Sequence, residues 1–274
     1  MNIHQLAYQA LMEPNIALKL HLVDALYSQQ KINQFPANTY PIKTIPIPGR
    51  PKKPELVSPK KLKHRKLSSE IGRANLIHAI THIEFNAINL ALDAVYRFQK
   101  MPTDFYTDWL QVASEEAYHF SLLRDRLKEM GHHYGDMLAH NGLWEMTVKT
   151  DHDVLIRMAL VPRVLEARGL DVTPGMMERL EKVGDQKTVD ILSIILRDEI
   201  GHVAIGSKWF HYCCEKQNLN AETTFRKLLI KYMGAPLRAP FHTEARLQAG
   251  FTQEEMEQLV AMEKQWFADR ENNR

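Results

Sequence analysis

Asp198-Glu199-Ile200-Gly201-His202 lies inside an apolar run that begins at Val189. Its Glu and His are three residues apart, so on an α-helix they share a face, one turn apart. Glu115-Glu116-Ala117-Tyr118-His119 repeats the arrangement earlier in the chain. Each motif is preceded by a helical stretch that carries one carboxylate on its apolar stripe, Glu84 before the first and Glu166 before the second. Four carboxylates and two imidazoles in the order Glu, Glu-x-x-His, Glu, Glu-x-x-His form the ligand set of a dinuclear metal site in a four-helix bundle.

One such motif means little. With 20 Glu and 13 His in 274 residues, about one Glu-x-x-His is expected by chance. The chain has three, and the third, Glu129-Met130-Gly131-His132, spans a helix stop and lacks a partner carboxylate, so it is read as a decoy. The spacing carries more weight. Glu84 and Glu116 are 32 residues apart, Glu166 and Glu199 are 33 apart, and the two halves are offset by 82 and 83 residues. At 1.5 Å rise per residue, about 17 residues lead from Glu84 to the turn near Met101 and about 15 return to Glu116. The second pair gives about 18 and 15 around Gly184, provided that the Gly169–Pro174 stretch does not redirect the chain.

The residue types follow from the chemistry. Carboxylates are hard ligands able to bridge cations, and imidazole suits iron and related transition metals. Four carboxylates balance two divalent cations, which makes their burial tolerable. Asp198 is expected to accept the outer ring N–H of His119 from a facing helix and so fix that imidazole. His78 and His82 fall on the first helix but well around its axis from Glu84, and are expected to point away from the centre.

Outside this core, residues 3–30 carry two helical patterns interrupted at Glu13-Pro14-Asn15. Seven prolines between Pro36 and Pro59 then predict an extended surface connection. Arg50 to Lys66 holds eight Lys or Arg against one acid, a solvated face first and a phosphate-contacting segment only second. The first bundle helix is expected from Ser68, as N-cap, to Lys100, and the second from Met101-Pro102-Thr103 to Met130. An irregular crossover over 131–150 precedes a third helix from Asp151 to about Arg168, with a kink or break at Pro162. Thr173-Pro174 is expected to open a separate segment. The fourth helix spans about Gln186–Lys216, followed by helices over 221–233, near 243–249 and over 253–268. The division is 1–67 for the N-terminal helices and proline-rich segment, 68–216 for the bundle, and 217–274 for a C-terminal helical extension. The fold class is all-α.

A net charge of +2 gives no global case for nucleic acid or membrane binding. Adjacent Cys213 and Cys214 offer no disulfide framework, and no apolar run approaches the roughly 20 residues needed to span a bilayer. No signal peptide is read at the N-terminus, and a cytoplasmic protein without membrane association is expected.

At Glu84, Glu116, His119, Glu166, Glu199 and His202 the chain resembles the ferritin-like di-iron carboxylate superfamily over about residues 68–216. Pro48-Gly49-Arg50-Pro51, His82-Ile83-Glu84, His133-Tyr134-Gly135-Asp136 and Pro240-Phe241-His242-Thr243-Glu244-Ala245-Arg246 extend the likeness to a bacterial ferritin-like family of unknown function. The tRNA hydroxylase acting on a modified adenosine is similar at greater distance. The resemblance implies a ferritin-like four-helix bundle with two iron ions, or one manganese and one iron. It also implies oxygen chemistry: an oxidoreductase, as a hydroxylase of unknown substrate, using dioxygen and an electron donor. The substrate class is a small molecule or, second, an RNA, and a small homo-oligomer fits. The alternatives are a ferroxidase or metal-handling protein, and a metal-binding bundle without turnover.

Overall fold

The structure, a computed structural model, describes residues 2–32, 39–62 and 66–272, and it is all-α. No strand is present among the described residues; the nearest feature is an isolated bridge between Leu56 and Ala139. Pro36 and the Lys63–Arg65 part of the basic stretch lie outside the described residues. The chain forms two compact units, one of Met1–Asp151 with Arg179–Ile191 and one of His152–Glu178 with Leu192–Arg274.

In the first unit, α1 (Ile3–Met12) and α2 (Ile16–Ile32) are separated by Pro14, as expected. α3 spans Glu70–Arg97 and α4 Thr103–Glu129. Phe98 meets Phe105 beside the turn, and Phe85 meets Phe120 farther along, so the two helices run antiparallel. The cap of α3 is Ser69 rather than Ser68: Ser69 Oγ accepts from Gly72 N at 3.2 Å, and the helix starts one residue later for it. α3 also stops short of Lys100, because Phe98 leaves the helical region and Pro102 then opens α4. The stop after α4 falls where expected, with Gly131 N donating to Lys128 O.

The proline-rich segment is pinned by polar contacts. Lys43 N donates to Tyr96 Oη, which donates to Pro41 O, while Trp144 Nε1 donates to Pro46 O. Gly49 N donates to Leu11 O, and a Cβ on Gly49 would lie 2.2 Å from the Met12 carbonyl carbon, so only glycine lets this strap cross the end of α1. Trp144 belongs to α5 (Gly142–Lys149), a helix inside the stretch expected to be irregular. Its buried Trp144 and Thr147 supply the tertiary anchor that eight residues of weak local signal do not advertise.

In the second unit, α6 (Val154–Leu160) passes into a π-helical turn (Val161–Glu166) and then into α7 (Ala167–Glu181), whose last residues from Arg179, like α8 up to Ile191, belong to the first unit. Pro162 therefore produces a register change, not a break. α7 also continues through Pro174, against the expected separate segment. Buried Leu170 and a bidentate pair from Arg246 to Asp171, at 2.9 and 2.7 Å, hold the turn before that proline in place. α8 (Gln186–Lys216) and α9 (Ala221–Met233) match expectation, and α10 (Thr243–Gln248) and α11 (Gln253–Asn272) complete the chain. No helix among the described residues is long and apolar enough to cross a membrane.

Candidate metal centre

Glu84 sits midway along α3, on a face of the helix that is buried along with its neighbours Phe85, Ala87 and Ile88. Glu116 and His119 lie one turn apart on α4, both with no exposed surface. The antiparallel hairpin brings the three together, as the matched depths require. His119 Nδ1 stands 3.3 Å from Glu84 Oε2 and 3.6 Å from Glu116 Oε2. Each of these three residues offers a ligand atom, and the atoms lie within 4.8 Å of one another.

The electrostatics of this cluster call for a cation. Burial, and then the Glu116 carboxylate, push Glu84 well above the usual carboxylate range, against the pull of His119. Burial works to lower His119, but Glu116 and Glu84 outweigh it and hold its pKa at about 11. Among the described residues Glu84 pairs with no Lys or Arg, so a charge on its buried carboxyl group would have no fixed cationic partner outside the cluster. Two hard oxygen donors and one imidazole nitrogen around one point fit a divalent transition-metal ion.

The second unit carries the other half of the motif. Glu199 and His202 lie one turn apart on α8, with His202 Nδ1 3.7 Å from Glu199 Oε1, and both are buried. Glu166, also buried, closes the π-turn. That turn forms because Pro162 has no N–H to give, and the chain widens until Ala167 N reaches Pro162 O. Asp198 is half-buried and accepts from Arg197 Nε at 2.8 Å. Gly206 explains one of the two glycines on this helix: a Cβ there would lie 2.3 Å from Pro162 Cβ and Cγ, whereas nothing lies within 4 Å of a Cβ at Gly201. Gly206→Ala is therefore expected to push the π-turn aside and cost about 1–3 kcal/mol, read as a lower urea midpoint; an unchanged midpoint would show the turn to be compliant.

The decoy behaves as a surface group, since Glu129 is half exposed and pairs with Arg126 and Lys187. Tyr118 is exposed as well. His78 and His82 engage the 133–136 loop rather than Glu84: Gly135 N donates to His78 Nε2 at 2.9 Å, and His82 Nδ1 shares a 2.8 Å hydrogen bond with Tyr134 Oη. Burial lowers both imidazoles to about 4, so both are neutral. Sequence reasoning missed Tyr134. Its ring packs against Phe85 and Phe120, the residues that follow Glu84 and His119 in sequence. The spacing of four between His78 and His82 was the available signal for this layer.

An all-α protein with a buried cluster of Glu and His side chains that could hold a metal ion is the class that fold and site define. Within it, the chain belongs to the family described as "Protein of unknown function (DUF455)", matched over residues 12–257. It is 50% identical over 220 residues to an "Uncharacterized protein" of Haemophilus influenzae, covering 78% of this chain and 76% of that one. No solved structure gives a significant match.

Proposed function

We propose that Glu84, Glu116, His119, Glu166, Glu199 and His202 hold two iron ions, or one manganese and one iron, in a ferritin-like di-iron carboxylate protein. On this reading the protein is an oxidoreductase, a hydroxylase acting with dioxygen and an electron donor on a small-molecule substrate in the cytoplasm. The observation that carries it is the convergence of two buried carboxylates, Glu84 and Glu116, on one nitrogen of His119. Burial of Glu166, Glu199 and His202, and their near-identical spacing in the second half of the sequence, support the remainder. Such a metal pair, when bound, supplies the binding and reduction of dioxygen.

The chain's own residues have defined tasks. The four carboxylates hold the charge, and His119 and His202 each contribute a neutral nitrogen. Asp198 is assigned to fix an imidazole by accepting its outer N–H. Phe85, Phe120 and Tyr134 pack on one another as an aromatic layer adjoining α3 and α4, next in sequence to Glu84 and His119. Free, buried Cys213 and Cys214 suit a reducing compartment.

Ferrous iron titrated aerobically, with native mass measured alongside, separates this reading from iron handling. A small oligomer that stops at about two irons per chain is expected, since two ions fill the six-ligand set. Continued uptake into a large shell would make iron the substrate and overturn the oxidoreductase. Affinity for RNA that falls steeply with salt would replace the small-molecule substrate by the polymer.

A further inference from the structure

The first unit contains a cavity of about 880 Å³ between α3, the 136–143 segment, Lys61 and Arg179. Its size suits a small organic ligand. The α3 residues lining it, among them Ala79, His82, Ile83 and Asn86, stand roughly 160–260° around the helix from Glu84. A ligand there would touch the opposite face of α3 from the metal-ligating carboxylate. The cavity is thus separate from the candidate metal centre.

Its walls are mostly apolar, with seven polar or charged residues among the eighteen that line it. Ile83, Leu138 and Ile71 line it while keeping more than a third of their surface exposed, which leaves an apolar mouth open to solvent. The polar floor is ordered. Asn86 Nδ2 donates to the His82 carbonyl at 3.1 Å and to His82 Nε2 at 3.0 Å. The carbonyl contact fixes which end of the amide is the donor, because the amide oxygen would repel it. His82 Nε2 is then an acceptor, and Nδ1–H donates to Tyr134 Oη. Asn86 has spent both hydrogens, and its Oδ1 takes no hydrogen bond from the described residues.

Charge at the cavity has one sign left over. Lys61 and Arg179 are exposed at its edge, and neither pairs with a carboxylate among the described residues. The acid present, Asp136, accepts from His133 N at 2.7 Å and closes its own turn. We propose that this cavity binds a small organic anion with an apolar body. The body lies on Ile83 and Leu138, the anionic group meets Lys61 and Arg179, and Asn86 Oδ1 accepts from a ligand donor. The site does not depend on the metal reading, because none of its groups belongs to the six ligands.

The full chain titrated with 1-anilinonaphthalene-8-sulfonate tests this by fluorescence, with the uncharged N-phenyl-1-naphthylamine as comparison. Saturation at one site is expected, with the sulfonate bound roughly tenfold more tightly than the neutral amine at low salt. Lys61→Glu with Arg179→Glu should erase that preference, and Ile83→Asp should weaken both probes. These side chains are exposed, so unchanged thermal unfolding accompanies the result. Equal affinity for the two probes, a preference that survives the charge reversal, or binding that never saturates would each overturn the proposal.

Discussion

Glu116→Ala and Glu199→Ala, purified from cells grown with iron and manganese, are expected to keep fewer than about one metal ion per chain, against about two for the parent. Glu116 has no exposed surface and stands 3.6 Å from His119 Nδ1. Removing it takes one of the four carboxylates from the proposed six-ligand set, and with it part of the negative charge that would balance two divalent ions. Glu129→Ala is the matched control: it also deletes a Glu three residues before a His, but from a solvent-exposed ion pair. Its metal content should equal the parent's. Unchanged metal in Glu116→Ala and Glu199→Ala, with near-ultraviolet circular dichroism like the parent's, would remove the site altogether.

Glu255→Ala is expected to destabilise the chain by about 3–5 kcal/mol, the usual result of stranding one partner of a buried ion pair. Glu255 accepts two hydrogen bonds from the Arg163 terminal nitrogen, at 2.8 and 2.7 Å, with both side chains almost wholly buried. The Arg163 guanidinium also lies 4.8 Å from the Phe210 ring centroid and 4.4 Å from those of Phe225 and Phe251. Burial lowers the Arg163 pKa, yet arginine cannot shed its proton to escape. Glu255 does a second job. Glu255 N donates to Thr252 Oγ1 and Thr252 N to Glu255 Oε2, a reciprocal cap at the start of α11. Glu255→Gln keeps much of that cap and isolates the charge effect, while Arg163→Met with Glu255→Met should recover most of the loss. Urea unfolding reads all three, and a loss below about 1 kcal/mol in Glu255→Ala would show that water reaches the guanidinium.

What was legible in the sequence was whatever depends on counting residues. The bounds of α8 and α9, the stop at Gly131 and the meeting of Glu84, Glu116 and His119 follow from rise per residue and helix punctuation. The decoy at Glu129 was legible for the same reason. What could not be read depends on partners distant in the chain. Pro174 looks like a breaker until Arg246, more than seventy residues away, is seen holding Asp171. α5 is a helix because Trp144 is buried and bonded to the proline-rich segment, not because of its own eight residues. The placing of Tyr134 required knowing that 133–136 folds back on His78 and His82. Ser68 and Ser69 are chemically equal as caps, and only the hydrogen bond to Gly72 separates them.

The π-turn at Val161–Glu166 acts as a one-residue surplus in an otherwise regular rod. Residues before it and after it keep different angular bookkeeping, by roughly 100° at 3.6 residues per turn. A helical-wheel projection drawn straight from Val154 to Glu181 would therefore assign the wrong face to everything on one side of Glu166. A relative that lacked the surplus residue would present another side chain where Glu166 stands. Alignments of this family should therefore place any single-residue gap between Pro162 and Glu166 before comparing the second half of the site.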